Sequence, residues 1–178
     1  MKSSKLLGII ISSNLKWNEH TLYIVKKASK RVWFLRRLSK LGASGETLVE
    51  MYQITIRNLM EQGAPVFSGG LSKGNKNDFE NVQKQAFKII LRGKFHNYQK
   101  ALNTLSQDTL DVEERRSAIS LKFAKKSVKH PKLKHLFRKK ENDRTRTGTK
   151  FIEQKMKSAR GENGPINYFI RLLNKNNI

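Results

Sequence analysis

The sequence predicts a mainly α protein: an irregular helical bundle of about five helices, preceded by a short β strand or hairpin and followed by a partly disordered basic C-terminal tail. Three observations lead to this fold class. Apolar residues recur at helical spacing over most of residues 18–129. The one strand-like apolar run, LLGIII, is short. With 37% hydrophobic residues and a net charge of +23, the 178-residue chain has enough material for one modest core under a highly charged surface.

Residues 1–17 form the first segment of the predicted organisation. The run Leu6 to Ile11 is rich in isoleucine and is followed by Ser12 to Asn14. This pattern predicts one strand closed by a turn. Because a lone strand leaves its backbone groups unpaired, the segment requires a partner within the chain or outside it.

The first predicted helix begins at Asn18, a good N-cap residue, and ends at Gly42, a good C-cap residue. It has an apolar seam at helical spacing. The seam consists of Leu22, Val25, Ser29, Val32, either Leu35 or Arg36, Leu38 and Leu41. Trp17 and Trp33 are predicted to pack in the core or at a hinge, because stacking on bases requires exposed aromatic platforms.

Further helices follow within the predicted helical domain, residues 18–138. Ser44 caps the second, which Gly63 and Pro65 end. Its low charge predicts an interior or partner-facing position rather than an anion-binding one. Residues 68–77 are predicted as a loop from their glycine, serine and asparagine content. Three further helices are predicted. The third buries Phe79, Val82, Ala86 and either Ile89 or Ile90. The fourth runs from Tyr98 to Leu105, and the fifth runs from Val112 to Lys129 and buries Val112, Ile119, Phe123 and Val128.

The C-terminal part divides into two predicted segments. Residues 139–164 have little apolar periodicity and are predicted as a flexible basic linker, with one short helix around Phe151 to Met156. Residues 165–178 regain helical spacing and are predicted as a short C-terminal helix.

The sequence lacks the residues that several kinds of functional site require. Without cysteine there is no disulfide and no thiolate zinc site, and the four histidines lack metal-ligand spacing. No near-adjacent aspartate pair of the polymerase type is present. We therefore predict no catalytic residue, no metal and no cofactor. The longest apolar run is too short to cross a bilayer or to form a signal-peptide core, so we expect no membrane partner and an intracellular, nuclear or cytoplasmic location rather than secretion.

Basic residues without acidic neighbours are the main functional signal. Residues 20–41 contain many lysines and arginines but no aspartate or glutamate, whereas an ordinary solvated helix face mixes both signs. Residues 122–140 repeat the pattern. Such surfaces are typical of phosphate binding. The predicted nucleic-acid-binding residues are Lys26, Lys27, Lys30, Arg31, Arg37 and Lys40 in the first helix, and Lys122, Lys125, Lys126 and Lys129 in the fifth.

The order of several segments resembles a known family. KLLGIIISSNLKWNEH, KKASKRVWFLRRLSKLGAS, EMYQITIRNLMEQGAPVF, FENVQKQAFKIIL, EERRSAISLKFAKKSVKHPKLKHLF and PINYFIRLLN are similar, in this order, to the C-terminal part of the reverse transcriptase of jockey-like, LINE-type non-LTR retrotransposons. Leu7 and Gly8 match the Leu-Gly of the family's primer grip, although Leu6 replaces the usual aromatic residue. Asn58, Gln62 and Phe67 are further departures from the family pattern.

The resemblance implies a primer-grip-like segment followed by a thumb-like helical domain that binds RNA, DNA or an RNA–DNA hybrid through phosphate contacts. The family's catalytic aspartates have no counterpart in this chain and would precede residue 1, so the chain is expected not to polymerise alone. A palm and fingers polymerase fragment is then a further candidate partner.

Two other hypotheses stay open at this stage. The alternative to nucleic-acid binding is a helical protein-interaction module, whose near-heptad positions Leu22, Val25, Val32 and Leu35 pair with a partner. The chain is also compatible with a retroelement remnant without a selected function. The preference for RNA or DNA and the oligomeric state are open as well.

Overall fold

A computed structural model describes residues 3–105, 111–140 and 150–176. The predicted mainly α fold is confirmed: helices follow a two-stranded antiparallel hairpin. The chain forms two compact units, each of which is described separately below. The first contains Met1–Gln62 and Leu71–Arg115, and the second contains Gly63–Gly70 and Arg116–Ile178.

The first unit begins with a β-hairpin. Strand β1, Ser3–Leu6, pairs with strand β2, Ile9–Ser12, so that Leu6 lies opposite Ile9. The prediction of one strand from Leu6 to Ile11 was therefore wrong. Leu7 and Gly8 both have positive φ, 48° and 86°, as a tight two-residue hairpin turn requires, and this turn divides the apolar run. The turn predicted after Ser12 is present, since the Leu15 N–H donates to the Ser12 carbonyl at 2.9 Å.

Helix α1, Asn18–Lys40, has nearly the predicted bounds. At its C-terminus Gly42 has φ 89°, the Gly42 N–H donates to Ser39 O and the Ala43 N–H donates to Leu38 O. These paired bonds form the Schellman motif that glycine favours. The predicted N-cap at Asn18 was wrong: Trp17 occupies the cap position and makes no capping hydrogen bond to the helix, and the Asn18 side-chain oxygen instead accepts from Asn75 at 3.0 Å.

The buried row of α1 differs from the predicted seam. Val32 and Leu35 are buried as predicted, but Leu22 and Leu41 are exposed. The helix is rotated so that a less hydrophobic row faces inward, which explains why the apolar pattern was misleading. This row consists of His20, Thr21, Ile24, Ala28, Val32 and Leu35. Trp33 was predicted to pack in the core or at a hinge, and the core position was wrong, because 58% of its surface is exposed.

The next helix passes through the interior of the first unit, as predicted. Helix α2, Gly45–Met51, begins where the Ser44 hydroxyl accepts the Thr47 N–H. It continues through a π-helical segment, Tyr52–Arg57, into helix α3, Asn58–Glu61. The fully buried residues along it are Leu48, Tyr52, Ile56 and Met60.

Two helices and the start of a third complete the first unit. Helix α4, Ala64–Phe67, comes next in the chain but belongs to the second unit. The first unit resumes with helix α5, Lys73–Leu91. Ser72 caps α5 by accepting the Asn75 N–H, so the loop predicted over residues 68–77 was wrong for its last five residues. The apolar face predicted for α5 is confirmed. Helix α6 covers Tyr98–Thr104, close to its prediction.

Helix α7, Val112–Lys129, has the predicted bounds. Of the residues predicted to be buried, Val112 is buried, whereas Phe123 is 46% exposed and Ile119 and Val128 are half-buried. Near its start, the Arg115 guanidinium donates to both carboxylate oxygens of Glu61, at 2.9 and 3.2 Å.

The second unit has its own core, in which aromatic residues predominate. Helix α8 covers Ala159–Glu162 and helix α9 covers Pro165–Lys175, which confirms the predicted C-terminal helix. The core packs residues from α7, from α9 and from the chain between them. Its buried members are Ala124, Phe137, Phe151, Phe169, Ile170 and Leu173.

The short helix predicted around Phe151 to Met156 was wrong. Phe151 forms an isolated antiparallel bridge with Lys139 and is buried. The Asn174 side chain bonds both the N–H and the carbonyl of Phe151 at 3.0 Å, and Asn167 does the same for Gln154 at 2.8 Å. These amides provide the backbone bonds that a local helix would otherwise supply. Within the predicted flexible linker, residues 141–149 lie outside the described residues.

The left-handed conformation of Leu7 gives a stability prediction. Leucine is strained at this φ, whereas Asn tolerates it and Asn-Gly is the preferred pair for such turns. Because the Leu7 side chain is 88% exposed, no packing is lost. We expect Leu7→Asn to stabilise the chain by about 1 kcal/mol in urea unfolding. The matched control is Leu6→Asn, an exposed leucine in β1, where asparagine is disfavoured. Equal stability of the two variants would contradict the strain at Leu7.

Candidate nucleic-acid interface

Four of the six basic residues predicted in α1 share one exposed face. Lys26, Lys30, Arg37 and Lys40 follow one another at intervals of four, seven and three residues, which places them on one side of an α-helix. All four side chains are exposed. This row is called the α1 basic face below. At 1.5 Å per residue it extends for about 21 Å.

The other two predicted residues of α1 lie beside this face and make local contacts. The Lys27 ammonium is 4.6 Å from the centre of the Tyr23 ring. The Arg31 guanidinium donates to the carbonyl of Thr55 in the π-helical segment. The Arg31 contact joins α1 to the π-helical segment, whereas the Lys27 contact lies within α1. Both residues thus make local contacts in addition to their predicted role as phosphate ligands.

A pocket of about 140 Å³ lies between the hairpin and α1. Its polar lining includes Lys5, Tyr23, Lys27 and Gln62. The Lys5 ammonium donates to the Tyr23 hydroxyl at 2.9 Å. Hydrogen bonds from Lys27 and then from Lys5 lower the pKa of Tyr23, because the two cations favour the phenolate. The pocket thus concentrates positive charge around a hydrogen-bonding phenol.

The primer-grip-like pair Leu7 and Gly8 forms the turn of the hairpin. Gly8 lines the pocket, and a Cβ there would lie 3.3 Å from the side-chain nitrogen of Gln62. His20 also lines the pocket, and its Nδ1 accepts the Ile10 N–H of β2 at 3.3 Å. Burial lowers the pKa of His20 from 6.5 to about 4, so the imidazole is neutral at pH 7 and can accept this bond.

The predicted residues of α7 form a second basic surface, in the second unit. Lys122, Lys125, Lys126 and Lys129 lie on one side of the helix at intervals of three, one and three residues, and all are exposed. The opposite side of the helix contributes Ala124 to the core. Packing therefore directs these lysines to solvent.

For three residues of this candidate interface, the sequence did not predict the position that the structure shows. Lys5 and Tyr23 come into contact only because the hairpin folds back on α1, and the local sequence pattern does not predict such a tertiary contact. Trp33 was predicted to pack in the core or at a hinge. The spacing of Lys30, Trp33 and Arg37 was a usable signal, because it places the indole within the basic row.

No group of three or more metal-ligating side chains occurs among the described residues, and none of their helices has the length and apolarity that a bilayer span needs. Searches against protein families, curated proteins and solved structures found no match to this chain.

The two lysines beside Tyr23 give a titration prediction. Lys5 and Lys27 favour the tyrosinate, so the pKa of Tyr23 should lie below 10. Ultraviolet titration of the chain minus that of Tyr23→Phe isolates this residue. In the double variant Lys5→Met and Lys27→Met the pKa should rise, because both hydrogen bonds are lost. An unchanged pKa would contradict the contacts assigned to the two lysines.

Burial of His20 gives a pH prediction. The unfolded chain binds a proton at this residue near pH 6.5, but the folded chain binds it only near pH 4. The unfolded state therefore takes up more protons in this interval, and the stability that His20 contributes is lost as the pH falls from about 6.5 to about 4.

His20→Asn tests this loss, because the amide oxygen can still accept the Ile10 N–H but does not titrate. In urea unfolding, the stability of the unmodified chain relative to the variant should fall through that pH interval. Parallel curves for the two chains would contradict a neutral buried His20.

Proposed function

We propose that this chain binds the phosphate backbone of nucleic acid, RNA, DNA or an RNA–DNA hybrid, through the α1 basic face. The observation that carries the proposal is the alignment of Lys26, Lys30, Arg37 and Lys40 on one exposed side of a helix that has no acidic residue from position 20 to position 41. A row of cations without intervening carboxylates attracts a polyanion and releases its condensed counterions.

Net charge alone does not account for this arrangement. A charge of +23 makes the chain repel itself, and acidic residues elsewhere pair with nearby cations, as Glu80 does with Lys84 and Glu153 with Arg171. None of the salt bridges found within the described residues includes a member of the α1 basic face. The positive charge of the face is thus available to an external anion.

The basic surface of α7 supports the same function. Its four lysines are exposed and lie on one side of the helix, and the residues that follow up to position 140 add further cations without an acid. In this proposal α7 provides a separate set of phosphate contacts within the second unit, and these contacts read backbone charge rather than base sequence.

We also propose that this binding role derives from the thumb region of a non-LTR retrotransposon reverse transcriptase. The order of the resembling segments supports it, as does a hairpin with Leu7 and Gly8 at its turn directly before the first long helix. On this proposal the chain holds nucleic acid without carrying out polymerisation itself.

A second candidate function is pairing with another protein through the hairpin. All residues of β1 are exposed, and Leu6 and Leu7 are 61% and 88% exposed. An exposed strand with apolar side chains is suited to strand addition, for which a polymerase palm fragment is one candidate partner. The near-heptad seam that suggested a helical partner is not available as a whole, because Val32 and Leu35 are buried in this chain.

Neutralising the α1 basic face tests the proposed function. The variant with Lys26, Lys30, Arg37 and Lys40 changed to Gln should bind a labelled duplex less tightly at low salt. Loss of four phosphate contacts should also reduce the slope of log K against log salt by about 3 to 4, as measured by fluorescence anisotropy.

The control for this test removes the same charge from other exposed positions, with Lys73, Lys94, Lys100 and Lys155 changed to Gln. Both variants carry a net charge of 23 − 4 = +19. The control should keep most of the salt slope. Equal losses in the two variants would mean that total charge, and not the α1 basic face, determines binding.

A further inference from the structure

We infer that the α1 basic face is built for single-stranded nucleic acid, with a base stacked on Trp33. The inference rests on the proposed function and adds the form of the ligand and the side chain that contacts its bases. It starts from one observation: the indole of Trp33 is 58% exposed in the middle of the cationic row.

Trp33 is held in place by its neighbours on the helix. Lys30 precedes it by three residues and Arg37 follows by four, so both adjoin it on the same face. The Arg37 guanidinium carbon lies 5.4 Å from the centre of the indole, within cation–π distance. This contact restrains the ring while leaving part of its surface in solvent, and it places a phosphate-binding cation beside a stacking surface.

A second aromatic side chain flanks the same row. Phe34 is 47% exposed, and its position, 100° further round the helix, puts it on the other side of the line through Lys30 and Arg37. The cations therefore lie between two exposed aromatic residues. Grooves for single strands combine these two elements, cations for the backbone and aromatic rings for the bases.

The exposed indole favours a single strand over a duplex. In a duplex the π faces of the bases are covered by their neighbours, and a side chain reaches them only by unstacking the base pairs. The cations of the α1 basic face are sufficient to bind the phosphates of a duplex, but duplex binding gives the exposed Trp33 no role. In a single strand each base offers a face to an aromatic ring.

The same residues fit a membrane surface less well. Helices that lie on membranes have an apolar face opposite a charged face. The apolar row of α1, which includes Ile24, Ala28 and Val32, is buried within the first unit. On the exposed side the aromatic residues alternate with cations, and Arg37 lies against the indole that would have to enter the lipid.

Tryptophan fluorescence tests the inference, because Trp17 and Trp33 are the only tryptophans. In the full chain carrying Trp17→Phe, the signal comes from Trp33 alone. Addition of oligothymidylate should quench it, whereas a duplex of the same length should bind without quenching. Binding of both ligands is followed in parallel by anisotropy of a label on the nucleic acid.

Substitution of Trp33 gives the second readout. Trp33→Leu should weaken oligothymidylate binding about tenfold, with an unchanged salt slope and unchanged duplex binding, because the stacking ring is lost and the cations remain. Trp33→Phe should restore part of the affinity. Leu22→Ala, which also removes an exposed apolar side chain from α1, is the matched control and should bind like the parent.

Each contrary result has a separate meaning. Binding of oligothymidylate without quenching of Trp33 would overturn stacking and leave backbone binding intact. Absence of binding to either nucleic acid at low salt would overturn both proposals. A change in Trp33 fluorescence with phosphatidylserine vesicles, but not with oligothymidylate, would identify the face as a membrane surface and overturn the inference.

Discussion

The orientation of α1 is the constraint on which the rest of the first unit depends. Its row of Ile24, Ala28, Val32 and Leu35 is almost completely buried, and α1 packs along α5. Ala28 brings only a methyl group to this packing. With this row fixed inward, helical geometry directs Lys26, Lys30 and Arg37 outward. Burial of this one face of α1 therefore determines both the packing of the core and the positive charge of the exposed face.

The parts of the fold that local chemistry determines were predictable from the sequence. Gly42 ends α1, Ser44 begins α2, and the bounds of α7 were predicted correctly because cap residues and prolines act within a few positions of where they stand. The sequence predicted a strand or a hairpin without deciding between them, and the position of the hairpin turn was not predicted. A continuous apolar run gives no sign that Leu7 accepts a left-handed conformation between two strands.

The rotation of α1 was the larger error, and it has a clear physical cause. The inward row begins with His20 and Thr21, which contribute little hydrophobic signal, whereas Leu22 and Trp33 on the outside contribute much. A count of apolar residues therefore predicts that the wrong face of α1 is buried. For the candidate site, the basic residues were found from their charge pattern, but the pocket that joins Lys5 to Tyr23 depends on a tertiary contact that no spacing encodes.

The asparagines of α9 have a consequence for the backbone groups of the segment packed beside them. Between Phe151 and Gln154 the chain is not helical, and such a segment can offer its amide edge to an extended segment of another molecule. Asn174 and Asn167 bond the N–H and the carbonyl of these two residues from the side of the helix. Each carboxamide thus acts as the peptide group of a neighbouring strand would. The C-terminal helix thus satisfies backbone groups of a non-helical segment with side chains, without adding a strand.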